Sequence, residues 1–266
     1  HIYKSLKKKN NVRRIGRYKK NKKINLSSLK KNNFLFDAII HCAGGSSVSQ
    51  SIIDPKKDYE KTVKSTKALI NYIKFRNLKT KLIFISSASV YGNSISKKLL
   101  KPISPYGKNK LEAERILIEA SKKLNFDLII IRYFSLYGEG LRKQLIWDAL
   151  NKLNKKIFIF NGTGKEKRSW MHVDDAVKII HKLFVYKNKK IIINAAGKQI
   201  YNNKKVISMI FQKSQVKEKP IFNKIFRKGD PKNQVLNNDY LNIINFKQSV
   251  DFSKGLNRYI RWFKRK

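Results

Sequence analysis

Three short apolar runs, Asp37-Ala-Ile-Ile-His41, Lys81-Leu-Ile-Phe-Ile-Ser86 and Asp127-Leu-Ile-Ile-Ile-Arg132, constrain this chain more than any other feature. Each is apolar at successive positions rather than at alternate ones, which is what a strand covered on both faces requires. Helical patterns separate them. Residues 55–76 open at Pro55 and carry Tyr59, Val63, Leu69, Ile70 and Ile73 at helical spacing. Ser104-Pro105 supplies an N-cap and a first-turn proline for a helix running to about Leu124. Strands joined by helices of this length predict an α/β fold with a doubly wound parallel sheet. Beyond about residue 140 the pattern is less regular. Short strand candidates at 157–160 and 191–194 alternate with helices at about 174–186, 203–213 and 253–263, predicting a smaller cap over the sheet edge.

Composition excludes several alternatives. Of 266 residues 41% are hydrophobic, enough for a sizeable core and too many for a disordered chain. A single cysteine, Cys42, excludes an intramolecular disulfide framework and a multi-thiolate metal site. No apolar run reaches the ~20 residues of a membrane span, and no apolar stretch follows the first charges, so a soluble, cytoplasmic protein is expected. The charge is extreme: 61 Lys+Arg against 17 Asp+Glu, a formal +44. Such a field attracts nucleic acid and anionic lipid. However, only 12 of the 61 cations are Arg, and the lysines are scattered among Asn, Ile and Phe. A dedicated nucleic-acid binder concentrates Arg and aromatics on one face. The charge therefore reads as a general lysine-rich surface, with neither specific nucleic acid nor membrane as partner.

A parallel sheet of this kind binds ligands beyond the C-terminal ends of its strands. Ala43-Gly44, Ser86-Ser87 and Tyr133-Phe134-Ser135 fall there. The most informative motif is Tyr106-Gly-Lys-Asn-Lys110, at the start of the helix from Ser104. A spacing of four places the phenol and the ammonium on one helical face, where the cation favours phenolate and lowers the tyrosine pKa. In a lysine-rich chain this pair arises easily by chance. Ser86-Ser-Ala-Ser-Val-Tyr-Gly92, at a strand end upstream, changes the odds.

With these motifs the chain resembles the extended short-chain dehydrogenase/reductases, in their NAD-dependent nucleotide-sugar epimerase/dehydratase branch. The likeness runs in order through Ile40-His-Cys-Ala-Gly44, Ser86–Gly92, Ser104-Pro-Tyr-Gly-Lys-Asn-Lys110 and Arg132-Tyr-Phe-Ser-Leu-Tyr-Gly138. It continues through Gly162-Thr-Gly164, Arg168-Ser-Trp-Met-His-Val-Asp174 and Arg227-Lys-Gly-Asp230. It implies a Rossmann-like NAD(P)-binding part at 1–138 and a mainly substrate-binding subdomain at 139–266, with a strand near 191–195 returning to the main sheet. It also implies an isomerase that epimerises a nucleotide-activated hexose, such as UDP-glucose/UDP-galactose, at C4 through a 4-keto intermediate. A nucleotide-sugar 4,6-dehydratase or reductase is the alternative. A non-catalytic basic binding protein on a Rossmann scaffold is the second, and it has no use for Ser87, Tyr106 and Lys110 together.

The resemblance further assigns roles. Tyr106 exchanges the proton of the oxidised hydroxyl, Lys110 binds the nicotinamide ribose, and Ser87, helped by Ser89, hydrogen-bonds the same hydroxyl. Ala43 and Gly44 place backbone beside NAD, and Tyr133 sits beside the nicotinamide. Arg168 and Arg227 clamp the diphosphate, a bidentate task suited to Arg. Three positions depart from the family pattern: Thr62, Ser135 and Gln144 stand where Asn is usual, each keeping a hydrogen-bonding group. Arg142 and Lys143 are either specificity residues or basic background. A homodimer paired through the helices at 55–76 and 104–124 is implied as well. His41, His172 and His181 lack ligand spacing and read as structural, so no metal is expected. Asp174 and Asp175 read as helix-start charges, and Trp147, Trp170 and Trp262 as packing residues. Dehydratase relatives carry an acid just before Val-Tyr-Gly, whereas Ala88 and Ser89 occupy those positions here.

The family begins with a strand and Gly-x-x-Gly-x-x-Gly, whose N–H groups cradle the pyrophosphate. That spacing of glycines occurs nowhere in this sequence, where the early Gly16 is isolated. Residues 1–9 are therefore expected to be the helix after that loop, and Val12-Arg-Arg-Ile15 the second strand. Gly16-Arg17 in place of an acid tolerates a 2′-phosphate and keeps NADP open beside NAD. Residues 1–266 expressed alone are expected to be poorly soluble and to carry little dinucleotide. Stoichiometric NAD(P) released on denaturing the purified chain would contradict this.

Overall fold

The computed structural model describes residues 1–15, 35–45, 47–94, 99–187, 190–236 and 238–265. Its centre is a parallel sheet of four strands: β1 (Ala38–His41), β2 (Lys81–Ser87), β3 (Asp127–Tyr133) and β7 (Lys190–Ala195), in the order β1-β2-β3-β7. The first three are the apolar runs of the sequence. Both faces of the sheet are covered, which is why the runs do not alternate. Leu82, Phe84, Leu128 and Ile130 pack against α4 (Ser65–Phe75) and α5 (Pro105–Leu124). Ile83, Ile129, Ile131 and Ile193 face α7 (Val173–Phe184) and a 3₁₀ segment at Asn238–Ile244. Each large apolar side chain so buried contributes roughly 1.5–3 kcal/mol.

The crossover from β1 to β2 holds α2 (Val48–Ile53) and α3 (Pro55–Tyr59). A π-helical turn at Glu60–Lys64 joins α3 to α4, so the helix expected over 55–76 is wider-wound in its middle. Asp54 caps α3, accepting from the Lys57 N–H at 2.9 Å. Ser104 caps α5 by accepting from the Gly107 N–H at 3.1 Å. The helix ends on Asn125, at φ +50°.

A second core lies in the C-terminal half. Tyr137, Ile146, Trp170, Ile207, Ile210, Phe252 and Leu256 are buried there. They come from β4 (Ser135–Tyr137), α6 (Gln144–Asn154), β6 (Lys167–His172), α8 (Asn203–Lys213) and α9 (Phe252–Lys264). β4, β6 and β8 (Gln199–Asn202) form a three-stranded mixed sheet, and β5 (Ile159–Phe160) pairs with β9 (Ile221–Phe222).

Sequence periodicity missed β4, β6 and β8. β6 is buried at four successive positions, Ser169 to His172, without β-branched residues to announce it. The opening helix is short, α1 (Ile2–Leu6). Val12–Ile15 is not a strand. Its two central residues are arginines, and Arg14 stacks on the Tyr3 ring at 4.8 Å instead of joining a sheet. Gly16 and Arg17 lie outside the described residues.

His41, His172 and His181 are each hydrogen-bonded within the fold. The His41 ring bonds Thr66 Oγ1 at 3.0 Å, and His172 bonds Glu139 at 3.0 Å. His181 meets Ser5 Oγ at 2.8 Å. Burial, reinforced by the Lys110 charge, drops the His41 pKa to about 3. Its unfolded value is about 6.5, so between these limits the unfolded chain binds the extra proton. Stability is then complete above about pH 6.5 and is lost as pH falls toward 3. From this residue the loss at pH 5 is about 2 kcal/mol. Urea unfolding at pH 7 and pH 5 is expected to show a smaller pH-dependent loss for His41→Gln than for the parent.

Candidate active site

The C-terminal ends of β1, β2 and β3 lie side by side on one edge of the parallel sheet. After β1 the chain turns through Cys42, Ala43, Gly44 and Gly45. Gly44 has φ +147°, where a Cβ would lie 2.9 Å from Lys110 Nζ and 3.3 Å from Thr62 Oγ1. Only glycine allows this conformation and this approach together. Thr62, fully buried in the π turn, fixes the turn by accepting from the Gly45 N–H at 2.8 Å. At the end of β2 the Ser87 hydroxyl bonds the Ser89 hydroxyl and accepts from its N–H, both at 3.2 Å.

Tyr106 stands in the first turn of α5, its backbone N–H donating to Ser51 Oγ at 3.0 Å. Burial pushes the phenol above its usual 10; a hydrogen bond with Ser87 opposes this, and the Asp58 charge adds to it. The phenol is thus raised, not lowered as the Tyr–Lys spacing predicts. The reason is burial, which disfavours the phenolate more than its surroundings favour it. Lys110 Nζ donates to the Ile85 carbonyl at 2.9 Å and lies 4.9 Å from the centre of the Phe84 ring. Its own pKa falls to about 8, mainly by burial; Cys42, Asp58 and Glu114 oppose the fall, and Lys143 adds to it.

Ser87, Tyr106, Lys110, Ala43, Gly44 and Thr62 are therefore brought together. The Tyr133 side chain is not among them. Its phenol donates to the Ala176 carbonyl at 2.7 Å, within the core between sheet and α7. Ser135 faces Trp170 across the β4–β6 pair, and Gln144 is exposed at φ +68° where α6 begins. Arg168 spends three of its N–H donors on the carbonyls of Lys167, Pro231 and Lys232. Arg227 pairs with Asp148 at 2.9 Å, near the surface. The segment after Arg227 crosses the start of α5, with Gly229 packed on Ser104. Of the two ambiguous cations, Lys143 is half-buried and acts on Lys110, whereas Arg142 is exposed.

At the ends of β2, β3 and β7 lies a network that motif reading missed. Arg132 makes a bidentate pair with Glu114, Nε to Oε1 at 3.0 Å and Nη2 to Oε2 at 2.5 Å. Ser86 Oγ also donates to Glu114, and Arg132 Nη1 donates to the Tyr91 hydroxyl at 2.8 Å. Tyr91 in turn donates to Asn194 at 2.7 Å. Burial opposes the Arg132 charge, but the Glu114 contacts outweigh it and raise its pKa. Glu114 follows Lys110 by four residues on the same helix, and that spacing was the signal available in the sequence.

The NAD dependent epimerase/dehydratase family matches residues 4–196. The chain belongs to that family. It is 37% identical over 109 residues to the UDP-glucose 4-epimerase of Lactobacillus helveticus, covering 38% of this chain and 32% of that protein. It is 31% identical over 159 residues to the dTDP-D-glucose 4,6-dehydratase of Dictyostelium discoideum, covering 53% and 36%. Its matches thus span about a third of these relatives' length. A solved UDP-glucuronic acid 4-epimerase of Bacillus cereus, in complex with UDP-glucuronic acid and NAD, superposes with a TM-score of 0.81 at 25% identity, covering 90% of this chain and 78% of that one. The Rossmann-like α/β architecture is shared.

The Arg132–Glu114 pair is buried, so losing one partner strands the other. Glu114→Ala is expected to cost about 3–5 kcal/mol in denaturant unfolding. The double variant Glu114→Leu/Arg132→Met is expected to cost less than Glu114→Ala alone.

Proposed function

We propose that this chain carries the catalytic machinery of an epimerase acting at C4 of a nucleotide-activated hexose, of the UDP-glucose/UDP-galactose kind, through a 4-keto sugar. One observation carries the reading: Ser87, Tyr106 and Lys110 converge at the strand ends beside a turn that has no side chain at Gly44. The names of the relatives, sugar-nucleotide epimerases among them, support it.

NAD, when bound, supplies the hydride acceptor and donor. The residues present fit it. A Cβ at position 44 would fill the cradle beside Lys110, and the buried Lys110 ammonium has donors beyond the one given to Ile85. Ala43 and Gly44 offer backbone, with Thr62 holding their turn, and Lys110 offers charge to the ribose.

Tyr106 then takes the C4 hydroxyl proton, and Ser87, already bonded to the phenol, orients that hydroxyl. Arg168 and Arg227 hold the diphosphate, and Ser135 and Gln144 reach the sugar nucleotide from the C-terminal half, which acts as the substrate-binding subdomain. A second copy pairs through α3–α4 and α5. A dehydratase would need a carboxylic acid beside the reacting hydroxyl, and Ala88 and Ser89 provide none.

The test is incubation of a full-length version with NAD and UDP-glucose or UDP-N-acetylglucosamine, read by chromatography. The C4 epimer is expected, and Tyr106→Phe should slow its formation about 10²–10⁴-fold. Because burial raises the phenol and phenolate is the base, the rate should climb with pH from 6 toward the Lys110 value of about 8. A stable 4-keto-6-deoxy product, or full turnover by Tyr106→Phe, would overturn the proposal.

A further inference from the structure

Asp58 is a buried carboxylate with 6% of its surface exposed, in α3 on the far side of the Gly44–Gly45 turn from the strands. Two contacts fix it. Asn109 Nδ2, on α5 between Tyr106 and Lys110, donates to Asp58 Oδ2 at 2.8 Å. On the other side Gly45 packs so closely that a Cβ there would stand 1.6 Å from Asp58 Oδ1. The carboxylate is thus wedged between the turn after β1 and the helical turn that bears the reactive pair. Its charge reaches Tyr106 and Lys110, and no salt bridge to Asp58 occurs among the described residues. The other charged groups acting on Lys110 are Cys42 beyond β1, Glu114 on α5 and Lys143 before α6. Of these Glu114 is occupied by Arg132.

A carboxylate buried without a salt bridge is costly, and a surface-facing helical acid would avoid that cost. We infer that Asp58 is a positioning residue: it clamps the Gly44–Gly45 turn to α5 through Asn109 and sets the electrostatic field in which Tyr106 works. The clamp couples two elements that the chain separates by some fifty residues, so the turn and the Tyr106–Lys110 face move as one body. The catalytic meaning of that coupling rests on the reading of Tyr106 as the base. Its test, however, uses no turnover, and so fails separately from that reading.

Two measurements on the 266-residue chain decide it. In Asp58→Asn the side-chain oxygen still accepts from Asn109 while the charge is gone. The Tyr106 phenol is followed by ultraviolet difference titration against Tyr106→Phe. Its transition is expected to move to lower pH by about half a unit or more, with the urea midpoint little changed. Asp58→Ala and Asn109→Ala are then compared with their double variant in urea. Each single variant is expected to lose nearly as much stability as the pair. An unmoved phenol transition, or losses that simply add, would overturn the inference.

Discussion

The buried ion pair between Arg132 and Glu114 is the constraint on which the rest of the site depends. Arg132 belongs to β3 and Glu114 to α5, while Ser86, Tyr91 and Asn194 tie the same network to β2, the 3₁₀ turn after it and β7. Removing two charges from water costs several kcal/mol per ion, and only a bidentate geometry with every remaining group bonded offsets it. Because that geometry is met in one register only, α5 is locked in rotation and height over the strands. Tyr106 and Lys110 inherit their positions from it. Lys110 lies one helical turn before Glu114, and Tyr106 one turn before that.

This places the acidic residues in a different light from the overall charge. The chain has only 17 against 61 cations. Among the described residues, Asp58, Glu114, Glu166 and Asp175 are buried, and each is hydrogen-bonded across elements or turns. Asp175, for example, holds the 249–250 segment before α9 through the N–H groups of Ser249 and Val250. Most of the described lysines, Lys110 apart, lie at exposed positions, where a net charge governs solubility and nonspecific attraction more than fold. The few interior carboxylates do the organising.

Much of the fold was legible because parallel strands buried on both faces must be apolar at every position, and the runs at 38–41, 81–87 and 127–133 could be nothing else. Local start signals placed α5 and α3 as well, through the Ser104-Pro105 cap and proline and through Pro55; the Asp54 cap of α3 appears only in the fold. β6 was illegible for the opposite reason. Its side chains Ser169 to His172 are buried by partners far along the chain, so no local period marks them. Val12–Ile15 failed as a strand because a short run with two arginines at its centre has little to bury.

The sequence by itself determined the parallel α/β architecture, the motifs at the strand ends and the four-residue spacing of Tyr106 and Lys110. All of these follow from periodicity and backbone geometry within one element. Tertiary structure alone decided how those residues are bonded and charged. It turned Lys110 toward Ile85 and left burial to raise the Tyr106 phenol. It buried the Tyr133 hydroxyl against Ala176, and it drew Asp58 under Gly45. A pKa or a hydrogen-bond partner depends on desolvation and on charges brought close from distant positions, and neither is written in the order of residues along the chain.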